Sequence, residues 1–282
     1  MRFPARRDRR SISVFDGPGG PSYKLYQLQH VLMRFFKITL AYDGGAYAGW
    51  QVQPDQPTIQ QALEDAWQKV NGESVRIVAS GRTDAGVHAI GQVASLASET
   101  NRSCDVLLRA LNANLADDIV IDSVEEAADG FHAIRDANGK RYRYVIDDGA
   151  TPNLFVRDYA WRFAYGRLDV DAMDQAAKSL LGKHDFSSFE AAGAERKTSV
   201  RTITDIFIER QVGHNGETIV FEVAADGFLY NMVRNIVGTL VEVGRGAQPE
   251  SWVNDVLKTC DRSCAGPTAP AQGLFLVHVD YE

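Results

Sequence analysis

Cysteine is scarce in this chain. Cys104, Cys260 and Cys264 are the only three in 282 residues, too few and odd in number for the disulfide framework of a secreted domain. A reducing compartment, the cytoplasm, is the expected location. Cys260 and Cys264 lie four apart, but no second pair of Cys or His stands near them, so no zinc site is expected. Apolar runs fall short of the length needed to cross a bilayer. No Gly-Lys-Ser or Gly-Lys-Thr follows Gly44-Gly45 or Gly49, which excludes a phosphate-binding loop of the P-loop kind. His-x-Glu with Pro-Cys-x-x-Cys is missing too, which excludes zinc-dependent base deamination.

Positive charge is also in deficit. The formal net charge is −7, from 30 Lys and Arg against 37 Asp and Glu. Six of the basic and two of the acidic residues fall in 1–32, which leaves the remainder at 24 against 35, a net of −11. A polyanionic partner would need a local basic groove, and its affinity would fall steeply with salt. The first 32 residues differ from the rest. Arg2, Arg6, Arg7, Arg9 and Arg10 crowd the start, and Gly17-Pro18-Gly19-Gly20-Pro21 cannot hold regular structure. No apolar core follows the arginines, so a secretory signal is not expected. Residues 1–32 read as a disordered or spurious extension, with Met33 as the alternative start.

Hydrophobic patterning predicts regular elements from there on. Arg34–Tyr42 alternates with Phe36, Ile38, Leu40 and Tyr42 on one face, a half-buried strand. Thr58 followed by Gln61 is a capping box, and Ile59, Leu63, Ala66 and Val70 form a helical stripe behind it. Strands are predicted at 76–80, 91–96 and 119–124, with a helix at 104–112. The order is β-α-β-β-α-β, the ferredoxin-like plan. The second half repeats it with additions: strands at 140–147, 158–163, 200–210, 218–224 and 274–281, and helices at 170–181, 230–243 and 249–259. Asn215-Gly216 is a hairpin signal between two of these strands. The predicted class is α+β, with two ferredoxin-like halves whose mixed, mainly antiparallel sheets lie side by side across a cleft. An N-terminal domain at 33–136 and a C-terminal domain at 137–282 follow from this.

One short loop concentrates polar chemistry. Gly81-Arg82-Thr83-Asp84-Ala85-Gly86-Val87-His88 lies between two predicted strands. Its glycines permit tight turning or close approach to a ligand, and its carboxylate could serve as nucleophile or base. The residues alone fit equally well a turn held by a structural salt bridge.

The loop resembles the catalytic motif of the tRNA pseudouridine synthase A family, and the resemblance extends in order over about 34–282. Tyr42-Asp43-Gly44 with Gly49-Trp50-Gln51 resembles the family's opening block. Asn112-Ala113-Asn114-Leu115 resembles a later one, with Ala116 where a proline is usual. Phe131-His132-Ala133, Lys140-Arg141-Tyr142-Arg143-Tyr144, Asp185–Phe189, Asp226–Gly238 and Gly273–Leu276 match the blocks that follow. The resemblance implies an isomerase that converts uridines 38 to 40 of the tRNA anticodon arm to pseudouridine. It implies base flipping and no cofactor, nucleotide or metal. A homodimer in which one tRNA touches both subunits is also implied.

By that resemblance Asp84 is the catalytic carboxylate, and Arg234, on a predicted helix with Gly238 one turn on, is its cationic partner. Tyr142 would stack on the target base, although the residues alone favour core packing with Tyr144 and Ile146. Arg82 would serve the flipped nucleotide or its backbone, and Leu276 would line the site. Phe131, His132, Arg135, Arg196, Lys197 and Arg201 are candidate RNA contacts. His88 is expected to hold the loop rather than take part in chemistry. Two other readings compete: a non-catalytic RNA-binding module of paired RNA-recognition-like domains, and a metal-dependent hydrolase using Asp84 and Asp43. Asp84 in its motif argues against the first, and the lack of a His or carboxylate cluster at ligand spacing against the second. A chain beginning at Met33 is expected to fold and turn over like the full chain, which rate measurements on the two side by side would check.

Overall fold

A computed structural model describes residues 33–191, 198–213 and 216–281. The extension expected at 1–32 lies outside the described residues, as do Arg196, Lys197 and Asn215. Strand β1 (Arg34–Tyr42) buries Phe36, Ile38, Leu40 and Tyr42 as its alternation predicts. Helix α1 (Ile59–Asn71) starts at Thr58, whose side chain accepts from the Gln61 N–H, and stops at Gly72, which takes the left-handed conformation at φ 68°. Strands β2 (Val78–Ala79) and β3 (His88–Ser98), helix α2 (Cys104–Asn112) and β4 (Ile119–Ala127) complete the predicted order. β2 keeps only two of the five residues expected of it; on its N-terminal side Ile77 N–H donates to Glu64 Oε1 and Ile77 O accepts from Gln60 Nε2.

The rest of the chain holds β5 (Gly139–Asp147), β6 (Trp161–Arg162), α3 (Val170–Ala177), β7 (Gly182–Asp185), β8 (Val200–Gly213), β9 (Gly216–Ala225), α4 (Met232–Gly244), α5 (Trp252–Thr259) and β10 (Leu274–Asp280). β7 was not predicted, since it is short and lacks apolar alternation. The helix expected over 170–181 ends at Ala177, then tightens to a 3-10 turn at 178–180. The helix expected from Tyr230 begins at Met232, because Asn231 sits in the left-handed region at φ 57°.

Two sheets side by side are not what forms. All ten strands lie in one sheet, in the order β4-β1-β3-β10-β5-β9-β8-β7, with β2 on β3 and β6 on β5. The joint is the edge of β3. Its start, His88 and Ala89, pairs in parallel with Phe275 and Leu276 of β10, while Ala94 and Ser95 farther along pair with β2. β10 is antiparallel to β5 on its other side. The chain between β2 and β3 must therefore leave the sheet where β10 enters it.

The first turn of helix α4 lines a cavity beside the loop that joins β2 to β3. All the helix residues except Arg234 and Glu242 are buried, the composition of an internal helix rather than an amphipathic one. It accepts a close backbone neighbour at Gly238, where a Cβ would lie 1.7 Å from the Pro267 carbonyl oxygen. Gly266 makes the reciprocal approach: a Cβ there would lie 2.7 Å from Gly238 O. Gly238→Ala is expected to destabilise the protein by about 3 kcal/mol, the upper range for forcing a methyl group into a packed contact, as read by urea denaturation.

Candidate active site

The loop from Ser80 to Val87 is tied down along its length. Trp50 N–H donates to Thr83 O at 3.0 Å, and Tyr42 Oη lies 2.8 Å from Thr83 Oγ1. Gln92 Nε2 donates to Gly81 O at 2.9 Å, and Lys140 Nζ to Ser80 O at 2.7 Å. After Asp84 the chain turns, with Gly86 at φ 76° and Val87 N–H closing on Asp84 O at 3.1 Å. The segment carrying Gly49 can lie against this loop only because Gly49 has no side chain: a Cβ there would stand 2.6 Å from Thr83 O. His88 closes the far end. Its Nδ1 is 3.0 Å from Asp43 Oδ1 and 3.1 Å from Gly44 N, and its ring stacks on Phe275 at 4.9 Å. Burial pushes the imidazole pKa down against the pull of Asp43. His88 does not line the cavity described next.

A cavity of about 780 Å³ opens against the loop. Ser80 to Asp84 and Val87 form one wall, Lys140 and Tyr142 of β5 another, and Phe228 to Arg234 a third, with Ile134 and Leu274 completing it. Asp84, Arg82, Tyr142 and Arg234 are thus brought together from three separate stretches of sequence. Arg234 Nη1 lies 3.7 Å from Asp84 Oδ2, with the carboxylate one-third exposed and the guanidinium more buried. Burial raises the Asp84 pKa, and the Arg234 charge opposes that rise. The guanidinium is itself fixed: Nε donates to Ala269 O at 2.7 Å and Nη1 to Asn231 Oδ1 at 2.9 Å.

Tyr142 is nearly buried, its ring edge-on to Phe228 at 5.0 Å. Arg82 is exposed at the cavity and makes no ion pair among the described residues. Leu276 is fully buried opposite Tyr142 in the sheet, and Leu274, two residues earlier, is the one that lines the cavity. Phe131 packs on Tyr281 at 5.3 Å. His132 Nδ1 accepts from Ile134 N–H, and Arg135 donates to both Asp136 oxygens and to Gly130 O. Arg201 donates to Thr198 O and Val200 O. Arg135 and Arg201 therefore have local partners that an RNA phosphate would have to share. Arg141 and Arg143 face the opposite side of β5, paired with Asp205 and Glu222.

Lys140, Phe228, Tyr230, Asn231, Ile134 and Leu274 were not singled out from the sequence as site residues. Lys140 carried the signal, since it stands two residues from Tyr142 on the same face of an alternating strand. The rest come from loops and strand ends, where spacing carries little information. Among the described residues there is no group of three or more His, Cys, Asp or Glu able to hold a metal ion, and no helix is long and apolar enough to cross a membrane.

A family model described as tRNA pseudouridine synthase matches residues 38–134 and 176–282. A tRNA pseudouridine synthase A of Acetivibrio thermocellus is 45% identical over 249 residues, 88% of this chain and all of its own length. A tRNA pseudouridine synthase A 2 of Clostridium perfringens is 47% identical over 88% of this chain and all of its own. The Myxococcus xanthus tRNA pseudouridine synthase A is 45% identical over 87% of this chain and 91% of its own. A solved Cbf5-Nop10-Gar1 complex overlaps 73% of this chain and 54% of that chain at a TM-score of 0.32 and 14% identity, too loosely to carry an argument.

Arg234→Gln is expected to move the titration of the Asp84 carboxyl to higher pH, because the opposing charge is lost while burial remains. Carbon-13 NMR of the labelled carboxyl checks this, and an unmoved titration would show that the two groups do not interact.

Proposed function

The chain belongs to the tRNA pseudouridine synthase family, whose reaction is isomerisation of uridine in tRNA, and we propose that Asp84 carries that reaction here, on uridines 38 to 40 of the anticodon arm. The observation behind this reading is the Asp84–Arg234 pair at 3.7 Å beside Tyr142, in a cavity large enough for a nucleotide.

The chemistry breaks the N1–C1′ bond, turns the base, and joins C5 to C1′. C5 gives up its proton and N1 gains one, so atoms and oxidation state balance within the nucleotide. A target uridine inside a stem or stacked loop must leave its stack to enter the cavity. Tyr142, braced by Phe228, then offers a fixed aromatic face for it. Asp84 can attack the sugar, attack the base, or remove the C2′ proton, and each of these needs the ionised carboxylate. Arg234 favours that form in a site where burial disfavours it. Residues 33–136 supply Asp84 and Arg82, and residues 137–282 supply Tyr142 and Arg234. Arg82, exposed at the cavity mouth, is suited to the displaced nucleotide or its backbone phosphate. Phe131, His132, Arg135 and Arg201 are proposed contacts to the anticodon stem-loop, and a homodimer is the proposed assembly.

The raised Asp84 pKa also has a stability consequence. A carboxyl whose folded-state pKa exceeds its unfolded value leaves stability untouched below the ordinary carboxylate range and lowers it as pH rises through the folded value. Asp84→Asn is therefore expected to slow conversion of uridine in unmodified tRNA by about three orders of magnitude or more. It should leave tRNA affinity within a few-fold and raise Tm at neutral pH, a gain that shrinks on acidification. Conversion by the variant at the wild-type rate would remove Asp84 from the mechanism.

A further inference from the structure

Arg234 does not hold its own position. It is the only residue of α4 before Glu242 that is not buried; its Nη1 is held by Asn231 Oδ1, and its Nε is aimed by one backbone carbonyl, that of Ala269. Ala269 belongs to a strap, Gly266 to Pro270, that has no regular structure of its own. The strap closes on Arg234 reciprocally, since Ala269 N–H donates to Arg234 O at 3.1 Å. What fixes the strap therefore fixes one of the two holds on the cation, the one at Nε.

The strap is fixed by a set of polar groups away from the cavity, of which Asn235 and Thr239 are buried, Arg262 is half-buried and Thr268 is exposed. Asn235, fully buried on the helix position after Arg234, accepts from Thr268 Oγ1 at 2.6 Å and from Arg262 Nη2 at 3.0 Å. Its amide donates to Phe189 O at 2.8 Å, so both ends of the side chain are used. The Arg262 guanidinium spans the group, with Nη1 on Gly266 O at 2.9 Å and Nη2 also on Thr268 Oγ1 at 3.1 Å. Thr239 Oγ1 takes the Gly266 N–H at 3.0 Å. At the other end Tyr144 Oη donates to Pro270 O at 2.6 Å. A network satisfied at every member specifies one geometry, and removing Arg262 or Thr268 leaves the buried Asn235 Oδ1 short of a partner.

We propose that Arg262, acting through Asn235 and Thr268 on the strap, is a positioning residue that sets where the Arg234 guanidinium stands against Asp84. This rests on the reading of Asp84 and Arg234 given above. No part of Arg262 lines the cavity, so it touches neither substrate nor Asp84. The ionisable groups that do line the cavity with Asp84 are Arg82, Lys140, Tyr142, Tyr230 and Arg234, and the Arg262 and Thr268 single variants leave all five in place.

The test uses the full chain with Arg262→Gln, Thr268→Val and Arg234→Gln, alone and as the Arg262→Gln/Arg234→Gln pair. The readouts are the carbon-13 titration of Asp84, the pH profile of single-turnover conversion of uridine in tRNA, and tRNA affinity. Arg262→Gln and Thr268→Val should each move the Asp84 titration and the acid limb of the rate to higher pH. The rate at neutral pH should fall about tenfold, with tRNA affinity within twofold. The pair should be no worse than Arg234→Gln alone, because Arg262 acts only through Arg234. Arg262→Lys, which keeps one donor but not the fork, should recover part of the loss. Folded variants with the wild-type Asp84 titration would overturn the proposal, as would losses in the pair that multiply. If Arg262→Gln does not fold, Thr268→Val, at an exposed residue, gives the same two outcomes. If Arg234→Gln itself leaves both the titration and the rate unchanged, the reading of Arg234 fails. If Arg234→Gln moves them and Arg262→Gln does not, only the present inference fails.

Discussion

One edge of β3 has two partners, and the site depends on that division. β10 takes the first residues of the strand, at His88 and Ala89, and β2 takes the stretch around Ala94 and Ser95. A β-strand edge offers one row of hydrogen-bonding groups, so the segment joining β2 to β3 cannot stay in the sheet while β10 occupies its place. It rises out of the sheet as the loop of Asp84. Tyr142 lies beside it because β5 is the next strand across β10, with Leu276 in register between Tyr142 and Ala89. Strand pairing alone thus brings Asp84 and Tyr142 to one cavity.

The cation opposite comes from packing rather than pairing. Helix α4 is apolar nearly all round and must be buried. It meets the strap through Gly238 and Gly266, where no methyl group fits. That contact delivers the Ala269 carbonyl to the Arg234 Nε. The carboxylate and the guanidinium are thus each held by backbone that glycine allows to approach closely, Gly49 behind Asp84 and Gly238 behind Arg234. Burial alone would favour the neutral acid, and the nearby charge offsets this in part.

Much of this was legible in the sequence, and for physical reasons. β1 and β5 alternate strictly, so their buried faces could be read directly, and Thr58 marks the start of α1 by cap chemistry. The motif blocks pointed to Asp84, Tyr142 and Arg234, which the fold gathers into one cavity. Three kinds of feature were hidden. The merging of two expected sheets into one rests on a pairing between residues 88 and 275, and periodicity carries no information about partners so far apart. The choice of Leu274 over Leu276 as a lining residue depends on which face of β10 turns to the cavity, and both are apolar. The strap is irregular backbone held by Arg262, Asn235 and Thr268, three residues that share no pattern until the chain is folded.

The β3–β10 pairing has a consequence for the order in which the protein matures. Asp84 is translated early, but its loop gains its flanking strand only after residues 274–276 have left the ribosome. Until then β3 and β5 each present an unpaired edge, a template for association with other chains, and contacts of such sequence separation form late in folding. A nascent chain can display the whole aspartate motif and still lack the pocket around it. The pocket around Asp84 therefore waits on the pairing of residues 275 and 276 with residues 88 and 89.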